Sequence, residues 1–183
     1  MTRNLAVEHD TEDKNWWCHH GEQLEKSFVT ICRDNMSLDV TINPEKVTNP
    51  YAPDLIFRQD GITHLADLKT QNTPFFTSSR YGADPRYTVT FNRKDYERYK
   101  QLYPDIVIFF WLDWKQTTWN SISTKYLAGI FKANFADMAI AIESGKIPEH
   151  AYQRRTFDVS GNAKTSFLFD VRDFQCLFKK EDN

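Results

Sequence analysis

An Asp-Gly pair at positions 60 and 61 constrains the fold of this chain more than any other sequence feature. It separates two runs rich in apolar and β-branched residues, 55–59 and 62–69. Asp-Gly suits a two-residue type I′ turn, because both central residues of that turn have positive φ. The sequence therefore predicts a tight antiparallel hairpin. The turn also fixes the register: Gln59 faces Ile62, and counting outward from them places Asp54 opposite Asp67.

This register predicts a cluster of charged side chains at one end of the hairpin. Directly opposed residues share a face of the sheet, with Cβ atoms about 4.5–5.5 Å apart, and like charges there are destabilising unless a cation neutralises them. Lys69 lies two residues beyond Asp67, so its side chain shares that face while Leu68 points the other way. Asp54, Asp67 and Lys69 are therefore candidates for one site. An ordinary cross-strand ion pair that binds nothing would use the same residues.

Two carboxylates and an ammonium group suit the hydrolysis of a phosphodiester. Mg²⁺ binds one or two protein carboxylates and keeps its other positions for water and phosphate oxygens. The ion would lower the pKa of a bound water and neutralise charge on the phosphate, while Lys69 would orient the nucleophile or stabilise the transition state. We therefore expect Asp54 and Asp67 to bind Mg²⁺, for which Mn²⁺ would be able to substitute.

The same residues resemble the motif of a known nuclease family. The motif elements are Pro-Asp at 53–54, Asp-Leu-Lys at 67–69 on the next strand, and Gly-Glu-Gln-Leu-Glu at 21–25 on a preceding helix. Together they are similar to the pattern of the PD-(D/E)xK nuclease superfamily, especially its Holliday-junction resolvase and restriction-enzyme branches. The resemblance covers roughly residues 21–111. It implies an α/β fold with a restriction-endonuclease-like core, in which helices flank a central mixed β-sheet.

The resemblance also implies roles for individual residues. Asp54, Asp67 and the backbone carbonyl of Leu68 would bind the metal ion. Glu25 matches the glutamate of the family's first helix and would assist in binding the metal or the attacking water. Glu22 is the competing carboxylate on the same helix.

A basic segment follows the candidate site in the sequence. Many members of the family carry a Lys or Gln on the helix after the Asp-x-Lys strand, and Lys94 is the best match here, with Gln101 second. Tyrosines at 81, 87 and 96 are interleaved with the basic residues, as expected of a groove that contacts phosphates and stacks on bases. A solvated helix face would have the same composition. The candidate nucleic-acid-binding residues are Arg80, Arg86, Arg93, Lys94 and Arg98.

Hydrophobic periodicity and turn residues predict the remaining elements. The continuous apolar run 106–111 is expected to form a strand at the centre of the sheet. Asn92 is expected to cap a helix at 93–102, which Pro104 ends. The other predictions are helices at 21–32, 122–144 and 174–178, strands at 38–42, 87–91, 156–159 and 166–171, and a long loop at 70–86.

Length and composition limit the class of protein. A chain of 183 residues, 40% of them hydrophobic, fits a single domain at 15–183 after a flexible acidic tail at 1–14. The longest apolar run, 106–112, is far shorter than the roughly 20 residues that span a membrane. Three cysteines fit a reducing compartment, so we expect a soluble, cytoplasmic protein. With a net charge of −2, any polyanion must be held by local basic patches or metal ions.

Taken together, these features predict a Mg²⁺-dependent endonuclease that hydrolyses DNA in restriction, repair or recombination. An enzyme that cuts palindromes or junctions would need two sites and hence a homodimer. Trp114 and Trp119 would supply the interface, unless they belong to the core. The alternative is a catalytically silent protein of nuclease fold that binds nucleic acid or a protein partner.

Overall fold

A computed structural model describes residues 14–151 and 165–180, with side chains from residue 21 onward. These residues form three α-helices, α1 (Lys14–Met36), α2 (Arg93–Leu102) and α3 (Phe135–Glu143). The strands are β1 (Asp39–Ile42), β2 (Leu55–Gln59), β3 (Ile62–Gln71), β4 (Thr88–Asn92), β5 (Val107–Asp113), β6 (Thr118–Trp119), β7 (Ile122–Ser123), β8 (Ala128–Asn134), β9 (Glu149–Ala151), β10 (Thr165–Asp170) and β11 (Gln175–Lys180).

A six-stranded sheet in the order β1-β2-β3-β5-β8-β11 forms the centre of the fold. The sheet is mixed, because β3 and β5 are parallel whereas their other neighbours are antiparallel. Helix α1 packs on one face, where Phe28 and Cys32 join the core around Leu68. Residues of α2 and α3, including Tyr99 and Met138, pack on the other face together with β4 and β10. The predicted fold class, a central mixed sheet flanked by helices, is confirmed.

The hairpin of β2 and β3 has the predicted turn and register. Positions 60 and 61 have φ values of 52° and 77°, the positive angles that a type I′ turn requires. Pairing continues without a bulge from the turn to Leu55 and Ala66. Leu55 and Ala66 are the immediate neighbours of Asp54 and Asp67, so both carboxylates lie at the same end of the hairpin.

The predicted central strand and second helix are also confirmed. Strand β5 lies between β3 and β8, and its residues 107–110 are buried. Helix α2 has the predicted bounds, and Asn92 occupies its N-cap position. The Asn92 side chain does not cap the helix, however, because its Oδ1 accepts a hydrogen bond of 2.9 Å from Ser166 Oγ on β10.

The predicted helix at 122–144 is wrong over most of its length. Residues 122–134 contribute β7 and β8, and the helix begins only at Phe135. Tertiary pairing overrides the apparent helical period, because β8 fills the position between β5 and β11 in the sheet. Gly129 permits this arrangement: a Cβ there would lie 2.6 Å from the backbone oxygen of Phe178 on β11.

The predicted terminal helix at 174–178 is also wrong, since residues 175–178 belong to β11, which pairs with β8 through a bulge between Cys176 and Phe178. A five-residue segment is too short to establish a helical period. The long segment at 70–86 contains the end of β3 and a 3-10 turn, Ser78–Tyr81.

The remaining sequence predictions concern the first helix, the N-terminal tail, one late strand, two tryptophans and membrane spans. Helix α1 is longer than the predicted 21–32, and Lys14 begins it. The rest of the predicted tail and the predicted strand at 156–159 lie outside the described residues. Trp114 is fully buried and belongs to the core, whereas Trp119 is 44% exposed. In the described ranges, no helix has the length and apolar character needed to cross a membrane.

Candidate functional site

The hairpin brings Asp54, Asp67 and Lys69 together. Asp54 immediately precedes β2, and its Oδ2 accepts a hydrogen bond of 3.3 Å from the backbone N–H of Leu68 on β3. Lys69 Nζ lies 2.8 Å from Asp67 Oδ2. Asp67 is only 3% exposed, and the buried Leu68 side chain belongs to the core beneath α1. The predicted alternation along β3 is therefore confirmed: both charged side chains leave the strand on the face opposite Leu68.

Helix α2 adds a second layer of charge around Lys69. Lys69 Nζ lies 2.6 Å from Asp95 Oδ2, so the ammonium group is held between two carboxylates. Arg98 Nη2 donates to Asp95 Oδ1 at 3.0 Å and to the Tyr99 hydroxyl at 2.7 Å. Asp95 and Tyr99 are one helical turn apart and therefore share a face of α2. The α2 side chains that meet Lys69 are thus Asp95 and Tyr99, whereas Lys94 and Gln101 are exposed.

Glu25 is linked to the site by Lys46, which contacts both Glu25 and Asp54. Lys46 Nζ donates hydrogen bonds of 2.6 Å to Glu25 Oε1 and of 2.6 Å to Asp54 Oδ1. Glu25 is buried on α1, whereas Glu22 is exposed, so the geometry associates Glu25 with the site. Because Glu25 belongs to the helix beneath the sheet, Lys46 connects that helix to the end of the hairpin.

A buried asparagine holds Lys46 in position. Lys46 lies on a 3-10 turn, Pro44–Val47, whose N-cap is Asn43. The Asn43 Nδ2 donates to the carbonyl of Pro53 at 2.9 Å, and its backbone N–H donates to the carbonyl of Asp54 at 2.9 Å. Asn43 is 3% exposed. These contacts fix the turn that carries Lys46 to the segment that carries Asp54.

The surroundings of Asp54 favour its neutral form. Burial, followed by the charge of Asp67, raises the pKa of Asp54 to about 7, although the hydrogen bond from Lys46 opposes the shift. The charge of Glu25 raises it further. Asp54 therefore lies where negative charge is in excess despite the lysine beside it.

Asp67 and Lys69 remain charged. Burial alone would raise the pKa of Asp67, but the charge of Lys69 beside it and a hydrogen bond from Tyr99 hold it below its ordinary value. Burial alone would lower the pKa of Lys69, but the charges of Asp67 and Asp95 raise it well above its ordinary value. Lys69 is consequently a permanent cation at neutral pH and cannot serve as a general base.

The donor atoms of the site fit a hard cation that needs few protein ligands. Among the residues described, no three His, Cys, Asp or Glu side chains form a metal-ligand cluster. Mg²⁺ does not require such a cluster, because it is commonly held by one or two carboxylates and retains several waters. Asp67 Oδ2 is buried and accepts no hydrogen bond of good geometry, since Lys69 approaches it as an ion pair. An oxygen of this kind retains capacity to bind a cation.

Arginines among the candidate nucleic-acid-binding residues form ion pairs with carboxylates of the same chain. Arg86 lies 2.6 Å from Asp84, Arg93 pairs with Glu149, and Arg98 pairs with Asp95. Arg80 and Lys94 are exposed. Arg93 also lies over the ring of Phe167, which ties α2 to β10. Arg98 is the member of this group that belongs to the network around Lys69.

Sequence reasoning missed Lys46, Asp95 and Tyr99. The helical spacing of Asp95 and Tyr99 shows that they share a face, but it does not show which strand they meet. For Lys46 the sequence contains no comparable signal. Its two partners lie 21 and 8 residues away in the chain, on a helix and at the start of a strand.

Comparison with known proteins adds a distant structural likeness. No protein-family model and no curated protein matches the chain. Among solved structures, the chain is similar to a nuclease from a fusselovirus, with 12% sequence identity, coverage of 94% of this chain and 91% of that chain, and a TM-score of 0.39. A likeness at this level carries no information about individual side chains.

Proposed function

We propose that this protein is a metal-dependent nuclease, specifically a Mg²⁺-dependent endonuclease that hydrolyses DNA phosphodiester bonds. The observation that carries the proposal is a carboxylate pair, the half-buried Asp54 and the buried Asp67, with a permanently charged Lys69 2.8 Å from Asp67. A pair of acids in which burial and mutual repulsion raise the pKa of one member gains stability from a bound cation. The sequence resemblance to the PD-(D/E)xK superfamily involves the same three residues.

Asp54, Asp67 and the backbone carbonyl of Leu68 are the proposed metal ligands. In an extended strand, the N–H and C=O of one residue point to the same side. The Leu68 N–H donates to Asp54, so the Leu68 carbonyl is expected on the side that faces Asp54. When bound, Mg²⁺ would supply a water of lowered pKa and neutralise charge on the scissile phosphate.

Lys69 is proposed to stabilise the transition state and orient the attacking water. In hydrolysis, the water oxygen forms a bond to phosphorus while the bond to the leaving deoxyribose oxygen breaks, and negative charge builds on the phosphoryl oxygens. A fixed ammonium group in a partly buried site stabilises that charge without reorganising. Asp67 and Asp95 hold Lys69 in position through contacts of 2.8 and 2.6 Å. Arg80 and Lys94, both exposed, are proposed phosphate contacts outside the site.

A second candidate function is a protein of nuclease fold that binds nucleic acid or a protein partner without cleavage. The observation that favours it is the internal neutralisation of the site: Lys46 bridges Glu25 and Asp54, and Lys69 bridges Asp67 and Asp95. Such a network would stabilise the fold even if no metal ion were bound.

Cleavage assays distinguish the two functions. Purified protein is incubated with supercoiled plasmid and with linear, single-stranded, flapped and four-way DNA, in Mg²⁺, in Mn²⁺ and in EDTA. We expect cleavage with either ion and none in EDTA. Asp67→Asn should abolish it, whereas Asp105→Asn should not, because Asp105 is an exposed loop aspartate that matches the change in charge.

Two results would count against the nuclease proposal. Binding to DNA with no cleavage in either metal ion would favour the binding protein. Cleavage that survives in EDTA, or in Asp67→Asn, would mean that the chemistry does not use the proposed carboxylates.

A further inference from the structure

Lys46 occupies a place that the sequence motif does not assign. Its ammonium group lies 2.6 Å from Glu25 on one side and 2.6 Å from Asp54 on the other, and its side chain is 22% exposed. In a two-metal phosphodiesterase, carboxylates that share a site are bridged by ions about 3.5–4 Å apart. Here the position between Glu25 and Asp54 is filled by a cation that belongs to the chain.

The net charge of the side chains around the hairpin favours binding of one divalent ion rather than two. The carboxylates outnumber the basic groups by one, so the cluster has a formal charge of −1. One divalent cation would change this to +1, which suits an incoming phosphate, whereas a second would raise it to +3 and add repulsion from both lysines. The carboxylates are Glu25, Asp54, Asp67 and Asp95, and the basic groups are Lys46, Lys69 and Arg98.

We propose that Lys46 takes the place of a second divalent cation, so that the site binds one metal ion, with Glu25 acting as a positioning residue for Lys46 rather than as a metal ligand. This inference rests on the proposed metal site at Asp54 and Asp67. Lys46 is tethered to the site through Asn43, which fixes its turn to the Pro53-Asp54 segment. An ammonium group held in this way has a high effective concentration at the carboxylates and competes with a free ion.

The number of Mn²⁺ ions bound per chain tests the inference. Bound Mn²⁺ is counted by electron paramagnetic resonance during titration of the full chain, in the absence of DNA. We expect one ion for the wild type and two for Lys46→Met, because removal of the ammonium group frees Glu25 and Asp54. The double variant Lys46→Met with Glu25→Gln should return to one. The control Lys26→Met removes an exposed lysine next to Glu25 on α1 and should retain one.

Each alternative outcome is informative. Two ions in the wild type, or one ion in a folded Lys46→Met protein, would overturn the role assigned to Lys46. If Lys46→Met does not fold, Glu25→Gln alone provides the test: it should still bind one ion with nearly unchanged affinity, and loss of binding would show that Glu25 is a ligand. No bound Mn²⁺ in the wild type would instead refute the proposed metal site itself.

Discussion

Replacing Asp54 with asparagine should stabilise the metal-free protein at high pH. The pKa of the Asp54 carboxyl is raised from 3.8 to about 7. A raised pKa means that the folded state favours the protonated acid. The contribution of this group to stability is therefore fully present below about pH 4 and is lost as the pH rises through about 7. Asparagine resembles the protonated acid and carries no charge to lose.

The size of the effect follows from the shift in pKa. A shift of about three units corresponds to about 4 kcal/mol at pH values above both pKa values, because each unit is worth about 1.36 kcal/mol. The observable change will be smaller, because the side chain is 21% exposed and asparagine has a single acceptor oxygen, so one of the hydrogen bonds from Lys46 and Leu68 is lost. We expect Asp54→Asn to be more stable than the wild type by about 1–3 kcal/mol at about pH 8, and by close to zero at about pH 4.

Urea unfolding followed by tryptophan fluorescence would measure this difference, since Trp114 is fully buried and reports loss of the core. The comparison is made at about pH 4 and about pH 8. Mg²⁺ at 100 times its dissociation constant should stabilise the wild type by about 2.7 kcal/mol but leave the variant much less affected. A difference in stability between variant and wild type that does not change with pH would refute the electrostatic reasoning.

Three further changes test other parts of the structure. Lys69→Met should abolish metal-dependent cleavage and lower the free energy of unfolding by about 3–5 kcal/mol, because it leaves the buried Asp67 carboxylate without its cation; plasmid assays and urea unfolding measure the two effects. Gly129→Ala should cost about 1–3 kcal/mol in urea unfolding, since its Cβ would meet the Phe178 carbonyl oxygen at 2.6 Å. Gly61→Ala should cost about 1–2 kcal/mol in the same assay, because the residue has a φ of 77°.

Local signals in the sequence were sufficient to predict the hairpin. The turn chemistry of Asp60-Gly61 acts over two residues, and strand pairing then carries its register without interruption to Leu55 and Ala66. Helix α2 was also predictable, because Asn92 precedes its first residue and Pro104 follows its end closely. In these cases each position is determined by neighbours in the chain.

Features that depend on distant pairing were not predictable. Residues 128–134 show a helical period, but they form β8 because β5 and β11 both pair with them. The contacts of Lys46 with Glu25 and of Lys69 with Asp95 join residues that are 21 and 26 positions apart in the chain. No spacing rule indicates that such residues meet, so the sequence predicted the carboxylate pair, its lysine and Glu25, but not Lys46 or Asp95.

The cleavage of plasmid DNA by three single variants, compared side by side, tests the central claim most directly. Asp54→Asn, Asp67→Asn and Lys69→Met are assayed at one Mg²⁺ concentration, with Asp105→Asn as the matched control and circular dichroism to verify folding. We expect all three variants to lose cleavage and the control to retain the wild-type rate. Wild-type cleavage by any folded member of the three would contradict the claim that these residues form one metal-dependent phosphodiesterase site.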